Sequence, residues 1–61
     1  MDYNEKIEIL TSMIRRNEKK LFLTEKDYEK VVFSREIAAL KECRDELKRK
    51  IGIKVAEALS L

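Results

Sequence analysis

Apolar side chains recur along the first part of the chain at spacings of three, four and seven residues, the repeat of one helix face. These positions are Tyr3, Ile7, Leu10, Ile14 and Leu21. Asn17 occupies the polar position inside the seven-residue step, and Ile9 and Met13 widen the apolar face. Asp2 lies three residues before Glu5, a spacing typical of a helix N-terminus. The pattern predicts a first helix over about residues 2–22.

A second helix N-terminus is predicted at Thr24, directly after the apolar run 21–23. Threonine is a good capping residue, and Glu25 and Asp27 would place negative charge in the first turn. Neither glycine nor proline marks this turn, so one continuous helix is the alternative that the pattern leaves open. We expect the second helix to cover about residues 25–51.

The second helix has its own apolar side, with one gap between Leu40 and Leu47 that Cys43 and Arg44 share. The other apolar positions of this side are Val32, Phe33, Ile37 and Ile51. We expect Cys43 to fill the core as a small hydrophobic residue. Gly52 follows a basic turn and is placed where a helix commonly ends.

The tail, residues 53–61, is less regular than the two predicted helices. Its sequence Ala56-Glu57-Ala58-Leu59 favours a short third helix by intrinsic propensity. A strand, or a second helix that continues through Gly52, are the alternatives, because one internal glycine costs only about 1 kcal/mol.

Together these elements predict an all-α fold: an antiparallel helical hairpin with a short C-terminal helical segment, forming a single domain over residues 1–61. Each predicted helix opens acidic and closes basic, which an antiparallel pair accommodates and which the helix dipole also explains. Two helices cover only one side of each other, so we expect the chain to self-associate into a helix bundle.

The composition of the chain limits the catalytic and metal-binding chemistry that it can support. The chain has no histidine, one cysteine and a net charge of only +2. Without histidine the commonest general base and metal ligand is missing, so we expect no enzyme, no cofactor and no metal site. The lone cysteine, and the lack of a signal-like or membrane-spanning apolar run, favour a small soluble cytoplasmic protein.

The expected function is protein binding, as a small regulator or adaptor that acts through apolar helix faces. The residues assigned to partner binding or self-association are Phe22, Tyr28, Val31, Phe33, Ile53, Val55 and Leu59. The alternative is a nucleic-acid-binding hairpin dimer, in which a basic cluster contacts phosphates. That cluster consists of Arg15, Arg16, Lys19 and Lys20. Interleaved acidic residues and the small net charge count against this alternative.

Overall fold

The computed structural model describes residues 1–59, which form two α-helices. Helix α1 covers Tyr3–Leu23 and helix α2 covers Asp27–Leu59, with residues 24–26 between them. The two helices pack against each other, and the described part of the chain contains no strand. The prediction of an all-helical fold is confirmed.

Local hydrogen bonds fix both ends of α1. The Asp2 side chain accepts a hydrogen bond from the Glu5 backbone N–H, with 2.8 Å between Oδ1 and N. Asp2 is therefore the N-cap, as its spacing from Glu5 predicts. At the other end, the Thr24 backbone N–H donates to the Lys20 carbonyl at 2.9 Å. Thr24 has extended backbone angles, so the helix stops there and the two helices are not continuous.

Thr24 was expected to cap the second helix, and the structure corrects this. Helix α2 begins two residues later than expected, with the Lys26 carbonyl accepting the first hydrogen bond from the Lys30 N–H at 3.1 Å. The Thr24 hydroxyl accepts from the Lys26 N–H at 3.3 Å and donates to the Glu29 carboxylate at 2.7 Å. Thr24 thus ends α1 and also holds the first turn of α2.

The predicted end of the second helix at residue 51 is also wrong. Helix α2 continues through Gly52 to Leu59, so the tail is a continuation of α2 and not a separate third helix. The glycine penalty of about 1 kcal/mol is too small to end a helix that good helix formers follow. Ser60 and Leu61, which the predicted tail includes, lie outside the described residues.

The core between the helices is narrow. Only Ile14 and Ile37 are buried among the described residues, with 2% and 8% of their surfaces exposed. Partly buried residues extend this core along both helices at the predicted spacing: Tyr3, Ile7, Leu10 and Leu21 on α1, and Phe33, Leu40, Leu47 and Ile51 on α2. The gap in the α2 pattern is filled by Arg44, which is partly buried, while Cys43 is exposed. The expectation that Cys43 fills the core is therefore wrong.

The start of α1 lies beside the last third of α2. The ammonium group of Lys54 is 4.6 Å from the centroid of the Tyr3 ring, within cation–π range. Every described residue from position 52 onward is exposed, because α2 has 33 residues and α1 only 21. We call residues 52–59 the overhang of α2.

The molecule is long and thin, measuring 54 × 16 × 14 Å. Its radius of gyration is 15.1 Å. A compact chain of this length would have a radius of gyration of about 10.5 Å. The accessible surface is 5128 Å², whereas a compact monomer of this mass would expose about 4100 Å². The chain alone therefore leaves an unusually large surface in water.

Candidate interaction surfaces

The predicted partner-binding residues divide between the two ends of the molecule. Phe22, Tyr28 and Val31 lie around the connection between the helices and are exposed, Phe22 to 87%. We call this group, together with the exposed Leu23, the tip. Tyr28 and Val31 lie in the first two turns of α2, which the Thr24–Glu29 hydrogen bond orders.

Three other predicted residues lie on the overhang. Ile53, Val55 and Leu59 are exposed, Leu59 to 82%. Val31 and Ile53 are 22 positions apart on one helix, which separates them by about 33 Å. The structure therefore does not bring the predicted residues together into one site.

Phe33 belongs to neither end group. It is partly buried and lies one turn before Ile37, in the row of α2 residues that packs toward α1. Phe33 is therefore less exposed than the predicted residues at the two ends, and its assignment to partner binding or self-association stays a prediction.

The four residues of the basic cluster are all exposed on the second half of α1. Arg16 and Lys20 line an open recess with Glu36 of α2, so an acidic group lies beside this part of the cluster. Two ion pairs lie elsewhere, at the start of α2. Lys26 pairs with Glu29 and Lys30 pairs with Asp27, each at 3.8 Å.

Sequence reasoning missed a further surface along one flank of the helix pair. On α1 a row of exposed residues is spaced alternately three and four positions apart. We call this row the α1 side row; it consists of Lys6, Ile9, Met13, Arg16 and Lys20. On α2 the same steps give what we call the α2 side row: Val32, Glu36, Ala39, Cys43, Glu46 and Lys50. The widening of the α1 stripe by Ile9 and Met13 was the signal in the sequence for this second face.

Two recesses lie along this flank, and the first of them is lined by members of both rows. The first has a volume of about 220 Å³ and is lined by Met13, Arg16 and Lys20 of the α1 side row, by Glu36 of the α2 side row and by Asn17. The second is lined almost entirely by apolar surface: its residues are Met1, Lys6, Ile9, Leu10 and Leu47. Asn17 is partly buried at the border between the core and this flank.

The opposite flank is polar. Apart from Phe22 and Val31 of the tip, which continue the same steps, the residues there carry no large apolar side chain: Asn4, Glu8, Thr11, Arg15 and Glu18 on α1, and Ser34, Ala38, Lys41, Asp45 and Lys48 on α2. Apolar surface is therefore concentrated on one of the two flanks, at the tip and on the overhang.

Within residues 1–59 no three His, Cys, Asp or Glu side chains are grouped so as to hold a metal ion. Neither of the described helices is long and apolar enough to cross a membrane. The sequence matches no protein-family model, and neither a curated protein nor a solved structure is significantly similar to it.

Proposed function

We propose that this chain is a non-catalytic protein-binding regulator or adaptor. In this proposal the helix pair is an antiparallel hairpin that self-associates into a helix bundle and presents its ends to another protein. One observation carries the proposal: eleven large hydrophobic residues are exposed in the described chain, whereas two are buried. A soluble monomer rarely leaves so much apolar surface in contact with water.

The tip is the surface that best suits a different protein. It combines the exposed aromatic residues Phe22 and Tyr28 with the aliphatic Leu23 and Val31. Aromatic side chains bury a large area at low entropic cost and dominate the energetics of many interfaces. The backbone of the tip is also ordered, because α1 ends and α2 begins within it.

The test is a double substitution at the tip, Tyr28→Asp with Val31→Asp. Both side chains are exposed, so the variant should keep the helix content of the wild type in circular dichroism. We expect it to lose a partner protein that the wild type retains, saturably, from an extract of the source cells. Because an interface of this kind depends on a few residues, the loss in affinity should be at least about tenfold.

The matched control is Ser34→Asp, which adds one negative charge to an exposed position of the same helix on the polar flank. This control should retain the partner. Equal retention by wild type and double variant would contradict the assignment of the tip.

Nucleic-acid binding by Arg15, Arg16, Lys19 and Lys20 is the second candidate, supported by the exposure of all four side chains. It requires that the purified protein carry material absorbing at 260 nm that is released at high salt, because phosphate contacts displace condensed counterions. Changing the four residues to glutamine would then weaken binding to any nucleic-acid sequence. Protein free of such material would favour the protein-binding proposal.

A further inference from the structure

We infer that the flank formed by the two side rows binds a second copy of this chain, with α1 of each copy lying over α2 of the other and both tips at the same end. The inference rests on the proposed self-association and names the face and arrangement that produce it. Its support comes from the area of exposed surface, from the difference between the two flanks, and from the charges of the side rows.

The area that the chain leaves exposed matches what a dimer needs. The accessible surface of 5128 Å² exceeds that of a compact monomer by about 1000 Å². A stable protein–protein interface removes about 800 Å² from each partner. One additional covered flank would therefore remove most of the excess surface.

The apolar residues decide which flank is covered. Ile9, Met13 and Val32 are exposed on the flank of the side rows, and the small residues Ala39 and Cys43 lie between the charged positions of α2. Apart from Phe22 and Val31 at the tip, the opposite flank offers no large apolar side chain to bury. Because the exposed large apolar side chains between the tip and the overhang lie on one flank, association closes at two copies and does not continue into a longer stack.

The charges of the two side rows are opposite over most of their length. The α1 side row carries Lys6, Arg16 and Lys20 and no acid. The α2 side row carries Glu36 and Glu46, with Lys50 as its one basic member. None of these six belongs to an ion pair at the start of α2, where Lys26 and Lys30 pair with Glu29 and Asp27. The charges of each side row therefore complement those of the other side row. Two copies of the α1 side row would instead place basic residues against basic residues.

Charge complementarity selects one of two symmetric arrangements. A two-fold axis parallel to the helices places α1 of one copy over α2 of the other, with both tips at one end. A two-fold axis across the helices places each helix over its own equivalent, with the tips at opposite ends. The second arrangement places Lys6, Arg16 and Lys20 of one copy against the basic α1 side row of the other copy, which is electrostatically unfavourable. The first arrangement places them against the α2 side row of the other copy, which carries Glu36 and Glu46.

This arrangement brings the binding surfaces of the two copies together. Both tips lie at one end of the bundle, so Phe22 and Tyr28 of each copy form a single larger apolar surface. Both overhangs lie at the other end, where every described residue is exposed. The dimer thus presents a doubled version of each end surface.

The first experiment measures the mass of the protein by sedimentation equilibrium. Wild type should be a dimer, and Met13→Glu should raise the dissociation constant by about a hundredfold, because a charge would be buried without a partner. Ser34→Glu, on the polar flank, should remain dimeric. Circular dichroism of each variant establishes that its helices are intact.

The second experiment separates charge effects between copies from those within one copy. We expect Arg16→Glu with Lys20→Glu to be monomeric, because both of its rows are then largely acidic. Glu36→Lys with Glu46→Lys should be monomeric for the opposite reason. Mixing the two proteins should restore dimers, since each acidic row then meets a basic row of the other chain.

The third experiment determines the arrangement. A spin label at Phe22→Cys, on a Cys43→Ser background, reports the distance between the two tips of the wild-type-like dimer. Tips at the same end should give a distance of about 20 Å, whereas tips at opposite ends would add the length of α1, about 30 Å.

The outcomes distinguish the inference from the proposal beneath it. A wild type that is monomeric at all concentrations overturns both the inference and the proposed self-association. A dimer that Met13→Glu does not weaken, a mixture of charge variants that stays monomeric, or labels at opposite ends overturns the face or arrangement and leaves self-association standing.

Discussion

Arg44 is an unusual residue for the position it occupies. It lies between Leu40 and Leu47 in the α2 row that packs toward α1, where the other members are apolar. Its Nε atom is buried and has no hydrogen-bond partner among the described residues. A buried donor left unpaired costs about 1–3 kcal/mol. Arg44 therefore weakens the interface between the helices relative to an apolar residue.

We predict that Arg44→Leu stabilises the protein by about 1 kcal/mol, because it removes the unpaired donor and completes the apolar row. Urea denaturation followed by circular dichroism measures the change. Arg49→Leu removes the same charge at an exposed position and should change stability by less than about 0.5 kcal/mol. Loss of stability in Arg44→Leu would show that the arginine makes a favourable contribution.

At this scale the sequence predicted what depends on near neighbours. The cap at Asp2 involves a residue three positions away, so its geometry follows from the local pattern. The choice between Cys43 and Arg44 for the gap in the α2 row was not local. It depends on how α2 turns against α1 over several turns, and the apolar character of cysteine pointed to the wrong neighbour.

Among the elements, α2 departs most from expectation because it passes through Gly52. The residue has no positive backbone angle φ, and a Cβ atom added there would meet nothing within 4 Å. Gly52 is therefore an ordinary helical residue that makes no turn and allows no close approach. Its effect is to increase the flexibility of the unfolded chain and to weaken the helix locally.

Gly52→Ala should stabilise α2 by about 0.5–1 kcal/mol. The space around the position is open, so no steric penalty offsets this gain. We expect higher helix content in circular dichroism and a higher denaturation midpoint, whereas Gly52→Pro should interrupt the helix and release the overhang. An alanine variant with reduced helix content would contradict a continuous α2.

Periodicity predicted α1 to within one residue at each end, since its apolar row, its cap and its final turn all agree. The end of α2 was mispredicted because Gly52 after a basic turn resembles a helix terminus, although nothing beyond it favours another conformation. A sequence signal for termination has an effect only when the following residues prefer to leave the helix, and Ala56-Glu57-Ala58 does not.

The whole molecule is too thin to be stabilised by its own core. Two buried isoleucines and the partly buried residues between the helices are less apolar packing than a free-standing domain of this size usually has. Association would cover the flank of the side rows and add to this core. In that case folding and assembly are one process, and the stability of the protein depends on its concentration.

This coupling gives a direct prediction for thermal unfolding. A tenfold increase in protein concentration should raise the midpoint temperature of the wild type by about 5 °C. At concentrations where Met13→Glu is monomeric, this variant should have a lower midpoint that does not change with concentration. A wild-type midpoint that stays constant over a hundredfold range of concentration would contradict coupled folding and assembly.

The predicted interaction surface illustrates what sequence alone does not give for the whole molecule. Apolar residues outside the core row were identifiable, and most of those chosen are exposed. Their grouping was not identifiable, because Val31 and Ile53 are similar in the sequence pattern yet lie far apart along one helix. The side rows went unnoticed because charged residues interrupt them, and their common flank is visible only once both helices are placed.

The overhang and the middle of α2 also differ in the free energy that local unfolding of the backbone requires. Near Ile37 a helical turn cannot unwind without exposing the core, whereas from Gly52 to Leu59 every residue is already exposed and unwinding uncovers no core residue. The free energy of local opening therefore falls along α2 from its middle to Leu59. The C-terminal end of α2 can therefore unwind and refold while the centre of the helix stays intact. A partner that binds this end must stabilise its helical conformation.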